Sequence, residues 1–189
     1  YYTDWKIYLY AVADTAESDA YYNQKPEDFL NSNAKWIEVW RKPLYKLQKQ
    51  HPDLNKDFIA FETARIKYWM YGDLNDYKSS DSEIPDNFYQ YLDKVNLNDL
   101  NLMQLDEYRH FLTSYVFMKA HRLEINDKVK TTSKMLDIIE ESFHQETIRN
   151  AVSKEIIRLQ TSRLSVNDSL LKRFATICTN KDYINEIEK

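Results

Sequence analysis

Apolar residues recur along most of this chain at intervals of three and four, the spacing that lines up one face of an α-helix. Trp5, Tyr8, Leu9 and Val12 form the first such set and predict a helix within 4–23. Pro26 followed by Glu27 and Asp28 suits a helix first turn. Proline there forfeits no hydrogen bond, and acids meet the positive end of the helix dipole. Trp36, Trp40, Leu44 and Leu47 make one stripe, four, four and three residues apart. Pro43 interrupts it; proline lacks a backbone donor and crowds the preceding turn, so a kink or break is expected near Val39. Pro52 and Asp53 open a longer segment to about Tyr71, where Phe58, Phe61, Arg65, Tyr68 and Tyr71 share a face that Ile59, Ile66 and Met70 widen. A helix apolar over so much of its circumference belongs at the centre of a bundle.

Residues 72–82 are polar and short of apolar anchors, which predicts a loop or a joint between subdomains. Pro85 then starts a short helix through Phe88, Leu92 and Val95. Residues 96–104 read as irregular, because Asn96, Asn98, Asp99 and Asn101 offer the backbone alternatives to helical bonds. From Asp106, Tyr108, Phe111, Leu112, Tyr115 and Val116 lie on one side of a helix. The patterns at 133–143 and 146–160, the second with Ile148, Val152, Ile156 and Leu159, fit either two helices or one continuous one. Ser165 to Asp168 resembles a capping box opening a helix to Cys178, and Asn180 suits the cap of a last helix. No repeat with a usable signature is present, and the tetratricopeptide pattern is absent. The fold expected is all-α, an irregular multi-helix bundle of about seven or eight helices, forming a single helical domain over 1–189 with a candidate joint at 72–82.

Composition sharpens this picture. Gly72 is the one glycine among 189 residues, where an average chain of this length carries roughly 13. Primed hairpin turns, dinucleotide-binding fingerprints and P-loops need glycine where φ is positive or a phosphate meets bare backbone, so those folds are excluded. The apolar fraction of 43% is too high for a disordered chain. With 26 basic and 30 acidic residues the net charge is −4, which argues against nucleic acid or an anionic membrane as partner. From Asp76 to Glu107 there are eight acids and two lysines, and from Lys128 to Arg173 nine bases and six acids; both read as solvated faces. No run of 18 apolar residues exists to form a transmembrane helix. The opening Tyr1-Tyr2 and the amphipathic start at 182–189 suggest a part excised from a longer chain.

The chemistry on offer is thin. Cys178 alone cannot close an internal disulfide or form a two-cysteine redox motif or zinc knuckle, and its apolar neighbourhood from Phe174 onward predicts a buried, inert thiol. Two Glu-x-x-His motifs, Glu107/His110 and Glu141/His144, have the spacing used by four-helix di-iron proteins. Only 30 residues separate His110 from Glu141. The two motif helices fill nearly all of that interval, leaving no room for a helix bringing a bridging glutamate, so ordinary helix-surface pairs are expected and neither metal nor other cofactor. His110 and His121 share a face but sit roughly 16 Å apart, too far for one metal. No Gly-x-Ser-x-Gly turn exists to expose a nucleophile, so a hydrolase is not expected.

Aromatic residues carry more information: 15 tyrosines, 8 phenylalanines and 4 tryptophans. Tyrosine joins an apolar body to a polar tip, which suits helical cores with wet edges as well as interfaces and ligand grooves. If the chain binds a partner, the expected residues are Tyr68, Trp69, Tyr71, Phe88, Tyr89 and Tyr91.

Residues 86–99, ending in Leu97-Asn98-Asp99, and 107–115, with Tyr108-Arg109-His110-Phe111-Leu112-Thr113-Ser114-Tyr115, resemble the helical region of multidomain TlpA-like, thioredoxin-fold disulfide reductases of Gram-negative envelopes. Ala64-Arg65-Ile66-Lys67-Tyr68 is similar to their preceding helix, and 178–189 to the linker helix entering their thioredoxin domain. The likeness spans about 55–189. It implies an exported parent, often lipid-anchored, located in the periplasm or cell envelope, whose Cys-x-x-Cys pair lies in a covalently linked thioredoxin-like domain beyond Lys189. Cys178 matches no catalytic position of that family. The resemblance thus implies a non-catalytic accessory domain that positions the catalytic domain, dimerises with a second copy, or contacts client proteins. A free-standing envelope protein binding peptide or glycan is the alternative from another class.

Overall fold

Every regular element among the described residues of the computed structural model is helical, and those residues are 23–77, 84–123, 125, 127–161 and 168–187. Seven α-helices are described: α1 (Pro26–Gln50), α2 (Lys56–Asp76), α3 (Asp106–His121), α4 (Lys128–Ser142), α5 (Glu146–Thr161), α6 (Asp168–Ile177) and α7 (Lys181–Ile187). Two 3-10 helices, Asp86–Lys94 and Leu100–Gln104, stand between α2 and α3. This is the all-α, multi-helix arrangement that the apolar periodicity predicts. The helix expected within 4–23 and the capping box begun by Ser165 lie outside the described residues. The chain divides into two compact units, Tyr1–Lys94 and Val95–Lys189.

In the N-terminal unit, α1 and α2 pack together along a seam. Trp40, Leu44 and Ile66 are buried there, with Trp36, Val39, Phe58, Ile59 and Trp69 partly covered against them. Pro26 stands at the start of α1 with Glu27 and Asp28 in the first turn. Of the kink or break expected near Val39, the break does not occur: α1 runs through Pro43 and continues to Gln50. Proline costs roughly 3 kcal/mol inside a helix, yet Trp40 and Leu44 on either side of it are buried. Two side chains of that size contribute about 3–6 kcal/mol together, enough to hold the helix through the defect.

The same competition decides the end of α2. The polar stretch from Gly72 does not start a loop; α2 continues to Asp76. Glycine costs about 1 kcal/mol in a helix, less than is gained by burying Leu74, which is 3% exposed. Beyond the helix Tyr77 stacks on Phe29 at 4.3 Å and on Phe88 at 5.1 Å. Its hydroxyl donates to the Gln24 carbonyl at 2.6 Å. The start of α2 lies later than Pro52: Asn55 caps it, its Oδ1 accepting from the Asp57 amide at 2.7 Å.

In the C-terminal unit, α3 is the central element and packs against α4 and α5. All six residues from Phe111 to Val116 are buried. Around it α4 also meets α5 and α6, and α7 lies on α5. The join between α4 and α5 is a real break. Phe143 leaves the helix in an extended conformation and is fully buried, while Asn98 Oδ1 accepts from the amides of His144 at 2.6 Å and Gln145 at 3.2 Å. Those bonds satisfy donors that a new helix start would otherwise leave unpaired. Asn180 caps α7 as expected, accepting from Asp182 at 3.0 Å and Tyr183 at 3.2 Å.

Candidate functional site

All six aromatic residues singled out from the sequence fall in the N-terminal unit, three on α2 and three on the first 3-10 helix. They do not form one surface. Tyr68, Phe88 and Tyr89 are buried at 3%, 1% and 9% exposure, whereas Trp69, Tyr71 and Tyr91 are half-buried. Phe88 stacks with Phe29 and Tyr77 and meets Tyr89 edge-on at 5.2 Å, so it is part of the core. Tyr71 and Tyr91 come together across elements, ring centroids 5.0 Å apart, and the Tyr91 hydroxyl donates to Asn75 Oδ1. Trp69 turns away to the α1–α2 seam, tilted against Trp40 at 4.8 Å. Neighbours separated by two positions on a helix point in different directions, which is why Trp69 and Tyr71 serve different contacts.

A cation not singled out in the sequence, Lys67, stands beside these rings. Lys67 Nζ lies 5.2 Å from the Tyr68 centroid and 5.4 Å from that of Tyr71, within cation–π range, and approaches the Lys94 carbonyl at 3.4 Å. Burial holds the Lys67 amine below its ordinary pKa, and the like charge of Arg41 on α1 pushes it the same way. Burial raises the Tyr71 hydroxyl, with Arg41 opposing. Lys67 and Tyr71 are an i, i+4 pair visible in the sequence; the electrostatic influence of Arg41 from another helix has no sequence signal.

The Glu-x-x-His motifs start on different helices. Glu107 and His110 are on α3, and His110 is exposed. Glu141 is in the last turn of α4, while His144 lies past its end, exposed, with its amide held by Asn98. Among the described residues no group of three or more His, Cys, Asp or Glu side chains is arranged to hold a metal ion. Cys178 is fully buried. Burial raises its thiol pKa, outweighing the hydrogen bonds from Asn180 and Ser153 that lower it, and a thiol so held is a poor nucleophile.

The motif residues at 97–99 and 108–115 tie the C-terminal unit together. The Tyr108 hydroxyl donates to the Asn96 carbonyl at 2.9 Å and accepts from the Asp99 amide at 3.2 Å. Asp99 caps the second 3-10 helix through the Asn101 amide at 3.0 Å. Arg109 reaches the Met103 carbonyl at 2.6 Å and pairs with Asp106. Asn98 also donates to the Ser142 carbonyl at 3.1 Å. Phe111, Leu112 and Tyr115 are buried. These residues knot a glycine-free turn, a structural task that their spacing alone did not disclose.

No helix among the described residues is long and apolar enough to cross a membrane. No protein family, curated protein or solved structure matches this chain.

Proposed function

We propose that the chain is a non-catalytic helical accessory module of an envelope thiol–disulfide oxidoreductase, and that its N-terminal unit holds extended client polypeptide. The observation that carries the binding role is the half-buried pair Tyr71 and Tyr91, ring centroids 5.0 Å apart, with Lys67 Nζ 5.4 Å from the Tyr71 ring. Aromatic bodies with wet edges hold extended chains with little sequence demand, since each ring contributes apolar area and a polar tip at low entropic cost. The accessory role rests on the resemblance of 86–99 and 107–115 to the helical region of TlpA-like reductases. The knot formed by Asn98, Asp99, Tyr108 and Arg109 supports that reading, because it gives those residues a structural use suited to a carrier domain. The buried Cys178, its thiol pKa raised, is in keeping with redox chemistry carried elsewhere in a parent chain.

The test is isothermal titration of the chain with a reduced, carboxymethylated polypeptide and with the same protein folded. Binding of the unfolded form, weakened about tenfold by Tyr71→Leu, is the expected result. Equal heats from folded and unfolded forms would overturn the reading. Retention of glycans with no polypeptide binding would move the protein to the free-standing binder class.

A further inference from the structure

Alone among the α-helices of the C-terminal unit, α7 has no buried residue. Tyr183, Ile184 and Ile187 are half-buried and the other four residues are exposed. A helix this short is far below the roughly 12–15 residues at which one becomes marginal by itself in water, so α7 depends on its contacts with α5. Three α5 side chains spaced four apart, and so on one face, supply directional contacts. Lys154 Nζ lies 2.6 Å from Glu186 Oε2 and 4.3 Å from the centre of the Tyr183 ring. At the root of the helix, Asn150 Oδ1 accepts from the Thr179 amide at 2.9 Å, and Asn150 Nδ2 donates to Thr179 Oγ1 at 3.1 Å. The Thr179 hydroxyl in turn donates to Glu146. Cys178, the residue before that root, is fully buried. Its thiol points at the carbonyl of Asn180, the cap of α7, at 3.8 Å.

We propose that residues 179–187 form a salt-sensitive strap, latched to α5 by the Lys154 ammonium, whose release uncovers the Cys178 thiol. An ion pair to a carboxylate 59% exposed contributes little by itself and is screened by salt. A cation–π contact at a wet edge adds a comparable amount. A latch of that strength keeps the strap closed most of the time and lets it open locally, at far less cost than unfolding the unit. While it is closed, reagents cannot reach the thiol, and burial keeps little of it ionised. Opening withdraws the Asn180 carbonyl and admits water, which restores access and ordinary acidity together. The strap goes beyond the client-holding role of the N-terminal unit and does not depend on it.

The test follows alkylation of the full chain by iodoacetamide, an uncharged reagent, at low and at raised sodium chloride, reading the mass of the intact protein. Cys178 is the one cysteine of the chain, so it is the thiol that reacts. Raised salt is expected to speed alkylation about threefold. Lys154→Met, which keeps the stem and removes the ammonium, should speed it about tenfold at low salt and abolish the salt dependence. Glu186→Gln, at an exposed position that does not endanger the fold, should give a smaller rise. Ile139→Val thins the buried core on α4 and should leave the rate unchanged. If Ile139→Val speeds alkylation as much as Lys154→Met, the thiol is reached only by unfolding of the unit and the strap is overturned. A rate indifferent to salt and to both latch variants would overturn it as well. So would an unaltered chain that reacts as fast at low salt as a free thiol.

Discussion

The two units solve the problem of a glycine-poor helical core with different side chains. The N-terminal unit builds around rings: Phe29, Tyr77 and Phe88 stack, Trp40 tilts on Trp69, and Tyr68 and Tyr89 complete the cover. It also buries the ion pair of Glu62 and Arg65, at 2.9 Å with the side chains 0% and 8% exposed. The C-terminal unit relies more on aliphatic residues, with Leu112, Leu136, Ile139, Ile148 and Ile156 fully buried about α3. Its buried polar groups are uncharged: Ser114 bonds the Phe111 carbonyl, Ser153 the Asn150 carbonyl, and Asn150 bonds Thr179. Aliphatic side chains interdigitate and close. Large rings leave edges and polar tips at the rim, and a charged pair inside raises the cost of any rearrangement. The aliphatic unit is closed over its core, and the aromatic one keeps ring edges at its rim.

That contrast can be broken in the aliphatic unit first. Phe143→Ala empties a fully buried site between α4 and α5, and a loss of about 4 kcal/mol is expected in urea melts followed by far-ultraviolet circular dichroism. A loss under 1 kcal/mol would mean that this core is looser than its burial implies. In the aromatic unit, Arg65→Met removes the ion pair with the buried Glu62 and should cost about 3 kcal/mol. Adding Glu62→Leu should return most of that. If the double variant stays as weak as the single one, the ion pair is doing more than neutralising itself. The smallest effect belongs to the knot. Asn98→Ala removes the acceptor of two amides and the donor to Ser142. It is expected to cost about 1–2 kcal/mol, with amide exchange rising first at His144 and Gln145.

Elements with a strong apolar stripe were legible in the sequence. The buried face of α3 from Tyr108 to Val116 follows from residue spacing alone, and the Asn180 cap follows from residue type. What failed were local penalties read without their tertiary compensation. Pro43 and Gly72 each disfavour a helix by a known amount, and each is outweighed by side chains whose burial no single-helix pattern reveals. The aromatic set was legible as a composition but not as a partition: Tyr68, Phe88 and Tyr89 went inward and Trp69, Tyr71 and Tyr91 to the rim. That division depends on which helix lies opposite.

The placement of the tryptophans has an optical consequence. Trp5, Trp36, Trp40 and Trp69 all fall within Tyr1–Lys94, and none follows. Excited at the red edge of its absorption, the protein therefore emits from one half only. With Trp40 and Trp69 tilted by 53° at 4.8 Å, their indole transitions lie close enough to couple as an exciton pair. The seam between α1 and α2 thus carries its own chromophore dimer, and a ligand that prises the helices apart would announce itself in the spectrum without any label.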